Sequence, residues 1–215
     1  MSNLIFKKDI HKYFIDNKEL ISVSKIIDNY LGSNYSHIAP EILKNAGVRG
    51  KWVHKINELY LQNINKENII NNLLIKLKSL TNEINYNYCQ KSLIFLQEKF
   101  KENNNYEFII EKSFGYDWIA GTLDLIYFNK QKDKYFIVDY KTYSQLDKFK
   151  LEKIKLQLTA YYWLVLKNGY QKLSNIAYIY LINNKEQKEI EIEITKEKLH
   201  EWEMALALWK EKWHE

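Results

Sequence analysis

The sequence predicts an α/β fold in which a sheet packs against helices. Three observations carry this expectation. Helical periodicity dominates from Ile26 to about Phe100, the pattern turns to strands at Tyr106, and helix and strand patterns then alternate to the C-terminus. The predicted order is helices, βββ, α, ββ, α. A chain of 215 residues is long enough for one well-cored domain, and neither a linker nor an internal repeat is visible. One domain over residues 1–215 is therefore expected, with a hairpin and mainly helical part over 1–105 and a core bearing the chemistry over 106–215.

Residues 11–23 read as two short extended runs around Asp16-Asn17, a hairpin turn, followed by a helix through Ile26, Ile27 and Tyr30. Trp52, Val53, Ile56, Leu59 and Tyr60 recur at helical spacing, as do Ile69, Leu73, Leu74, Leu77 and Leu80. Phe108, Ile109 and Ile110 begin a strand, and further strands follow at 119–128 and 134–142. Turns at Gly115-Tyr116-Asp117 and at 129–133 are short enough to join antiparallel neighbours, which gives a three-stranded meander. A helix over 151–167, strands at 176–182 and 189–194, and a last helix carrying Trp202, Leu206, Trp209 and Trp213 complete the chain.

Hydrophobic residues make up 46% and charged residues 27%, which excludes disorder and fibrous repeats. The longest apolar run, Ala160 to Leu166, is far below the roughly 18 residues of a membrane span, and no signal-peptide core is visible, so the protein is expected in the cytoplasm with no membrane partner. Cys89 is the single cysteine, which rules out an internal disulfide and a four-cysteine zinc or iron–sulfur site within this chain. A net charge of +5 permits nucleic-acid binding without specifying it. Nearly all the positive charge is lysine, with Arg49 the only arginine, a bias that points to an AT-rich genome.

The second and third strands of the meander look buried on both faces, yet Asp124 sits inside one and Asp139 and Lys141 close the other. Buried charges are costly unless they pair with each other or bind a metal. Asp139 and Lys141 are two apart and project from one face. Pairing through the 129–133 turn brings Asp124 near the level of Asp139. Two close carboxylates repel, and a divalent cation relieves that repulsion; oxygen ligands favour Mg²⁺ or Mn²⁺ over zinc. On these residues alone, a structural ion-pair network remains the alternative.

These motifs resemble the PD-(D/E)XK nuclease superfamily, particularly its branch of exonucleases similar to the RecB nuclease domain, and also phage and mitochondrial genome-maintenance exonucleases. Gly121-Thr122-Leu123-Asp124 stands for the second motif, with Leu123 in place of the signature proline, and Asp139-Tyr140-Lys141 for the third. Gln157 and Tyr161 match a helical Gln-x-x-x-Tyr motif, and Arg49-Gly50 followed by His54 matches the early histidine of that branch. The resemblance covers most of the chain. It implies a restriction-endonuclease-like core, a mixed central sheet flanked by helices, preceded here by a helical N-terminal segment.

It further implies phosphodiester hydrolysis on DNA, single-stranded or as an end-containing duplex, with one or two Mg²⁺ or Mn²⁺ ions. Asp124, Asp139 and the backbone carbonyl of Tyr140 become metal ligands, and Lys141 acts on the attacking water and the phosphate. Glu111 is an additional acid, and His54 a nitrogen ligand or the partner of an outer water, with Glu58 on its helix face. Gln157 and Tyr161 contact the sugar–phosphate backbone or stack on a base, and Arg49 clamps a phosphate or caps a helix. The bland alternatives are a Lys141–Asp139 salt bridge, a solvated Glu111, a structural His54 and core packing for Gln157 and Tyr161. The iron–sulfur subgroup of the branch needs four cysteines and is excluded by Cys89 standing alone. An endonuclease of the same superfamily and a non-catalytic DNA-binding subunit are the rival functions; no Gly-x-Ser-x-Gly elbow or paired-histidine metal helix points elsewhere.

Overall fold

A computed structural model describes residues 4–7, 9–32 and 38–213. Strands β1 (Leu4–Lys7), β2 (Lys12–Ile15) and β3 (Lys18–Ser22) precede helices α1 (Val23–Leu31), α2 (Pro40–Gln62), α3 (Ile69–Leu80) and α4 (Glu83–Lys99). Then come β4 (Tyr106–Tyr116), β5 (Ile119–Asn129), β6 (Lys134–Lys141), α5 (Lys148–Lys167), β7 (Ile176–Ile182), β8 (Gln187–Glu193) and α6 (Lys196–Trp213). The predicted order holds, with β1 as an addition: four residues with no repeating pattern give too little signal to read. None of the helices among the described residues is long and apolar enough to cross a membrane.

Local chemistry sets the boundaries. Asp16 and Asn17 both take positive φ, 47° and 65°, as a two-residue hairpin turn requires. The side chains of Ser22, Asn82 and Asp147 accept backbone N–H bonds at the starts of α1, α4 and α5. Pro40 opens α2, where its missing N–H costs nothing.

Among the described residues, eight strands form one mixed sheet. β5 carries β4 antiparallel along one edge. Its other edge is divided: β3 pairs parallel at Ile119–Ala120, and β6 pairs antiparallel only from Leu125 onward. β7 lies parallel to β6 and antiparallel to β8. The sheet therefore forks along β5 between Ala120 and Leu125, and strands from both ends of the chain meet at that fork.

The sheet is covered on both faces. Leu123, Ile126, Ile137 and Ile179 pack with residues of α1, α5 and α6, including Ile26, Leu158 and Trp202. Leu125, Tyr127, Val138 and Tyr180 pack with α2, α3 and α4 through Val53, Leu77 and Leu93. Leu123 and Leu125 are two apart but belong to opposite faces, so the regular alternation expected of β5 breaks at Asp124. β4 breaks at the same level: Ile110 packs with the second core and Phe114 with the first, and Glu111 between them holds φ at 49°. A non-glycine residue at positive φ inside a strand costs on the order of 1–3 kcal/mol and marks a constrained place.

Candidate active site

The fork in the sheet is a cleft of about 620 Å³, whose lining includes His54, Glu111, Asp124, Asp139, Lys141, Gln157 and Tyr161. α2 contributes a stripe at helical spacing, Gly47, Lys51, His54, Lys55 and Glu58. Because the face alternation breaks at Glu111 and Asp124, groups from the α2 side and the α5 side reach one point.

Asp124 stands where β5 and β6 part. Its Oδ2 accepts the backbone N–H of Tyr140 at 2.8 Å, so a side chain replaces the ladder bond that separation of the strands removes. Its Oδ1 lies 3.2 Å from His54 Nδ1, and Glu111 Oε1 lies 3.7 Å from the same nitrogen. The Tyr140 ring meets the His54 ring edge-on at 5.7 Å, which fixes the imidazole plane. On the other side of the fork, Lys141 Nζ is 2.6 Å from Asp139 Oδ2 and donates to Gln157 Oε1 at 3.2 Å. Gln157 Nε2 donates in turn to the Tyr161 hydroxyl at 3.0 Å. Asp139 and Lys141 do share one face, as their spacing predicts.

Burial by itself would strip the charge from His54, but Asp124 and Glu111 outweigh it and hold the imidazolium up to about 10. Burial also opposes ionisation of Asp124; the charges of His54 and Lys141 and the Tyr140 N–H overcome it and keep this carboxyl below its ordinary value. Asp139 goes the other way, raised by burial and by Asp124, with Lys141 offsetting only part. Lys141 stays charged, because Asp139, Tyr143 and Asp124 outweigh its burial. Two carboxylates pushed in opposite directions, between two cations, form an environment arranged around charge.

His54, Glu111 and Asp124 each offer one ligand atom, and these atoms lie within 4.8 Å of one another. One nitrogen and two carboxylate donors at that spacing fit a divalent cation. In this arrangement the proton on His54 occupies the place of the cation's charge, shared between the same two carboxylates. Asp139 lies outside this closest group, held by Lys141.

Two of the residues expected to contact DNA have partners within the protein. Tyr161 is only 6% exposed, and its ring edge is so close to the backbone that a Cβ on Gly121 would stand 2.7 Å from Tyr161 Cε1. Its ring packs over the strand, and its hydroxyl accepts from Gln157, which in turn holds Lys141. Arg49 does not line the cleft: its guanidinium lies 4.7 Å over the Tyr88 ring and donates to Thr142 O at 3.4 Å. It ties α2 to α4 and to the end of β6, because arginine combines a flat face with a donor edge. Glu58 lines the cleft but is bound to Lys55 at 2.8 Å.

Phe6, His11, Tyr13 and Thr122 also line the cleft. Sequence reasoning missed the first three because the first hairpin reaches this site through the β3–β5 pairing, a contact with no local signature; Thr122 belongs to the motif that carries Asp124.

The fold is a known one. A structure of a candidate exonuclease from Eubacterium rectale superposes with a TM-score of 0.51 at 15% identity, covering 88% of this chain and 78% of that one. A crystal structure of SSO0001 covers 86% of this chain and 84% of its own at 18% identity, with a TM-score of 0.34. A search of curated protein sequences returns no match. The model of one family matches residues 34–215, which span α2 to α6 and every group of the cleft except the first hairpin and Ser24. The chain belongs to the PD-(D/E)XK nuclease superfamily.

Proposed function

We propose that the protein is a DNA exonuclease that hydrolyses phosphodiester bonds with Mg²⁺ or Mn²⁺, and that residues 1–215 act as one nuclease domain. The observation that carries this reading is the convergence of His54, Glu111 and Asp124 with the Asp139–Lys141 pair at the fork of the sheet. Preference for an end is supported by the early histidine of the exonuclease branch and by the fold shared with the Eubacterium rectale protein. Processing of DNA ends in recombination, repair or mobile-element replication, inside the cytoplasm, is the setting that suits such an activity.

A divalent cation held by His54, Glu111 and Asp124, with Asp139 and the Tyr140 carbonyl beside them, would supply Lewis-acid charge at a phosphate oxygen. The chain's own groups do the rest. Asp124 is pinned by the Tyr140 N–H and His54 by the Tyr140 ring, so the donor atoms are oriented before anything binds. Lys141 keeps its proton and can donate it as a hydrogen bond to the attacking water or to the phosphate, where negative charge grows in the transition state. Gln157, braced by Tyr161, stops that ammonium from swinging away.

The test is digestion of linear and closed-circular DNA by the purified protein with Mg²⁺ or Mn²⁺, with products sized over time. Progressive loss of nucleotides from linear DNA is expected, with circles spared. Cutting of circles at a comparable rate would assign an endonuclease of the same superfamily, and no cutting of any DNA would leave only a binding role.

A further inference from the structure

One wall of the cleft is made of rings. Phe6 on β1 stacks on Tyr13 of β2, with centroids 4.5 Å apart and planes 15° apart, and His11 in the turn between these strands meets Phe6 edge-on at 5.2 Å. All three line the same cleft as the metal donor set. The wall is prebuilt: Tyr13 is buried and its hydroxyl pairs with Thr122 Oγ1 at 3.0 Å, and that oxygen pairs with Ser113 Oγ at 2.7 Å. Phe6 is half-buried, with Tyr13 covering one face, and His11 is exposed at a φ of 51°, an unfavourable backbone state for a residue with a Cβ. The same cleft is lined by the α2 stripe, which carries Lys51 and a Lys55 paired with Glu58.

We propose that this aromatic wall stacks unpaired bases, so that the substrate reaches the donor set as a single-stranded DNA end rather than as intact duplex. The inference rests on the nuclease reading above and names the form of DNA that the site accepts. Aromatic rings and a lysine in one cleft are the two parts of a groove for single strands: the rings take bases, and Lys51 can follow the backbone. A paired base within a duplex has both faces covered by its neighbours and offers nothing to Phe6 or His11. An unpaired base has a free face, and stacking on it needs no particular sequence. Phe6 packs against the hairpin's buried cluster of Tyr13, Leu20 and Ala120 but is only partly covered there, and His11 is exposed, so the wall keeps ring surface open to the cleft.

The proposal is tested on the whole protein in EDTA, which keeps the DNA uncut. The probe is an oligonucleotide with 2-aminopurine near one end, offered as a single strand and as a blunt duplex. The wild type is expected to quench the single-strand fluorophore and to bind that strand about tenfold or more tightly than Phe6→Leu/His11→Ala, while blunt-duplex affinity changes less than twofold. Phe6→Leu keeps apolar volume in the hairpin but removes the π face, and a thermal melt of the double variant checks the fold. His11→Ala alone, at an exposed position, provides a second reading, with a smaller loss in the same direction. Equal single-strand binding by wild type and variants, or equal loss of duplex and single-strand binding by folded variants, would overturn the aromatic wall and leave the nuclease reading standing. Wild-type protein that binds neither form here and also cuts no DNA with Mg²⁺ or Mn²⁺ would overturn both.

Discussion

His54 is where proton and metal compete. With its imidazolium held up to about 10, nearly every metal-free molecule at neutral pH carries the proton that a cation must displace. Apparent Mn²⁺ affinity should therefore rise roughly tenfold per pH unit between about pH 6.5 and 8.5, with close to one proton released per ion. Calorimetry in buffers of different ionisation enthalpy reads that proton, and a pH-independent affinity would remove His54 from the ligand set. The same shift has a sign for stability. A group raised above its ordinary 6.5 stabilises the fold fully below that value and loses the contribution as pH rises through about 10. Metal-free protein should melt at progressively lower temperature across that window, and His54→Gln should flatten the dependence. Lys141 acts at a different stage. Lys141→Ala is expected to slow hydrolysis by about 100-fold or more while DNA and Mn²⁺ still bind, because its charge matters most in the transition state. A variant that cuts at the wild-type rate would exclude the assigned role.

Between strand and helix, the decisive contact is Gly121 of β5 beneath Tyr161 of α5. A methyl group on residue 121 would meet Tyr161 Cε1 at 2.7 Å and Val23 Cγ2 at 3.3 Å, and the ring is itself buried. Gly121→Ala must push α5 outward, carrying Gln157 away from Lys141. A loss of about 1–3 kcal/mol in stability is expected from the overpacking, together with a fall in kcat larger than the change in KM. Denaturant unfolding and steady-state rates check the two parts. Wild-type stability and rates in Gly121→Ala would show that the close approach is not required. The paired break at Glu111 and Asp124 belongs to the same scale. It turns both strands over at one level, and without it the carboxylates would follow the regular alternation of a buried strand and not reach the fork.

For the whole molecule, the site draws on parts far apart in the chain: His54 from α2, Glu111 and Asp124 from β4 and β5, and Lys141 from β6. A cation bound by His54, Glu111 and Asp124 would tie the helical N-terminal part to the sheet. Ligand present at about 100 times its Kd stabilises the native state by about 2.7 kcal/mol, so Mn²⁺ should raise the melting temperature and EDTA should reverse the rise. His54→Ala should lose most of that gain, and at neutral pH should also melt somewhat lower than the wild type without metal, because Asp124 and Glu111 lose the imidazolium between them. Equal Mn²⁺ stabilisation of variant and wild type would place the ion elsewhere.

The sequence by itself determined the order of elements and which charged residues stand out as candidates for chemistry. Strand and helix periodicities are local properties. A charge such as Asp124 or Asp139 inside an apolar strand is conspicuous in any context, and a spacing of two puts Asp139 and Lys141 on one face whatever surrounds them. The Gln157–Tyr161 spacing was equally plain, though its use was not: only the packed ring over Gly121 shows that the pair braces Lys141. Arg49 was conspicuous for its rarity, and tertiary packing on Tyr88 decided its place. The fork along β5, the reversal of faces at Glu111 and the aromatic wall of the first hairpin were invisible in the sequence. Each depends on which strand edges pair across long stretches of chain, and that pairing is settled by the combined burial of two cores rather than by the residues at the junction.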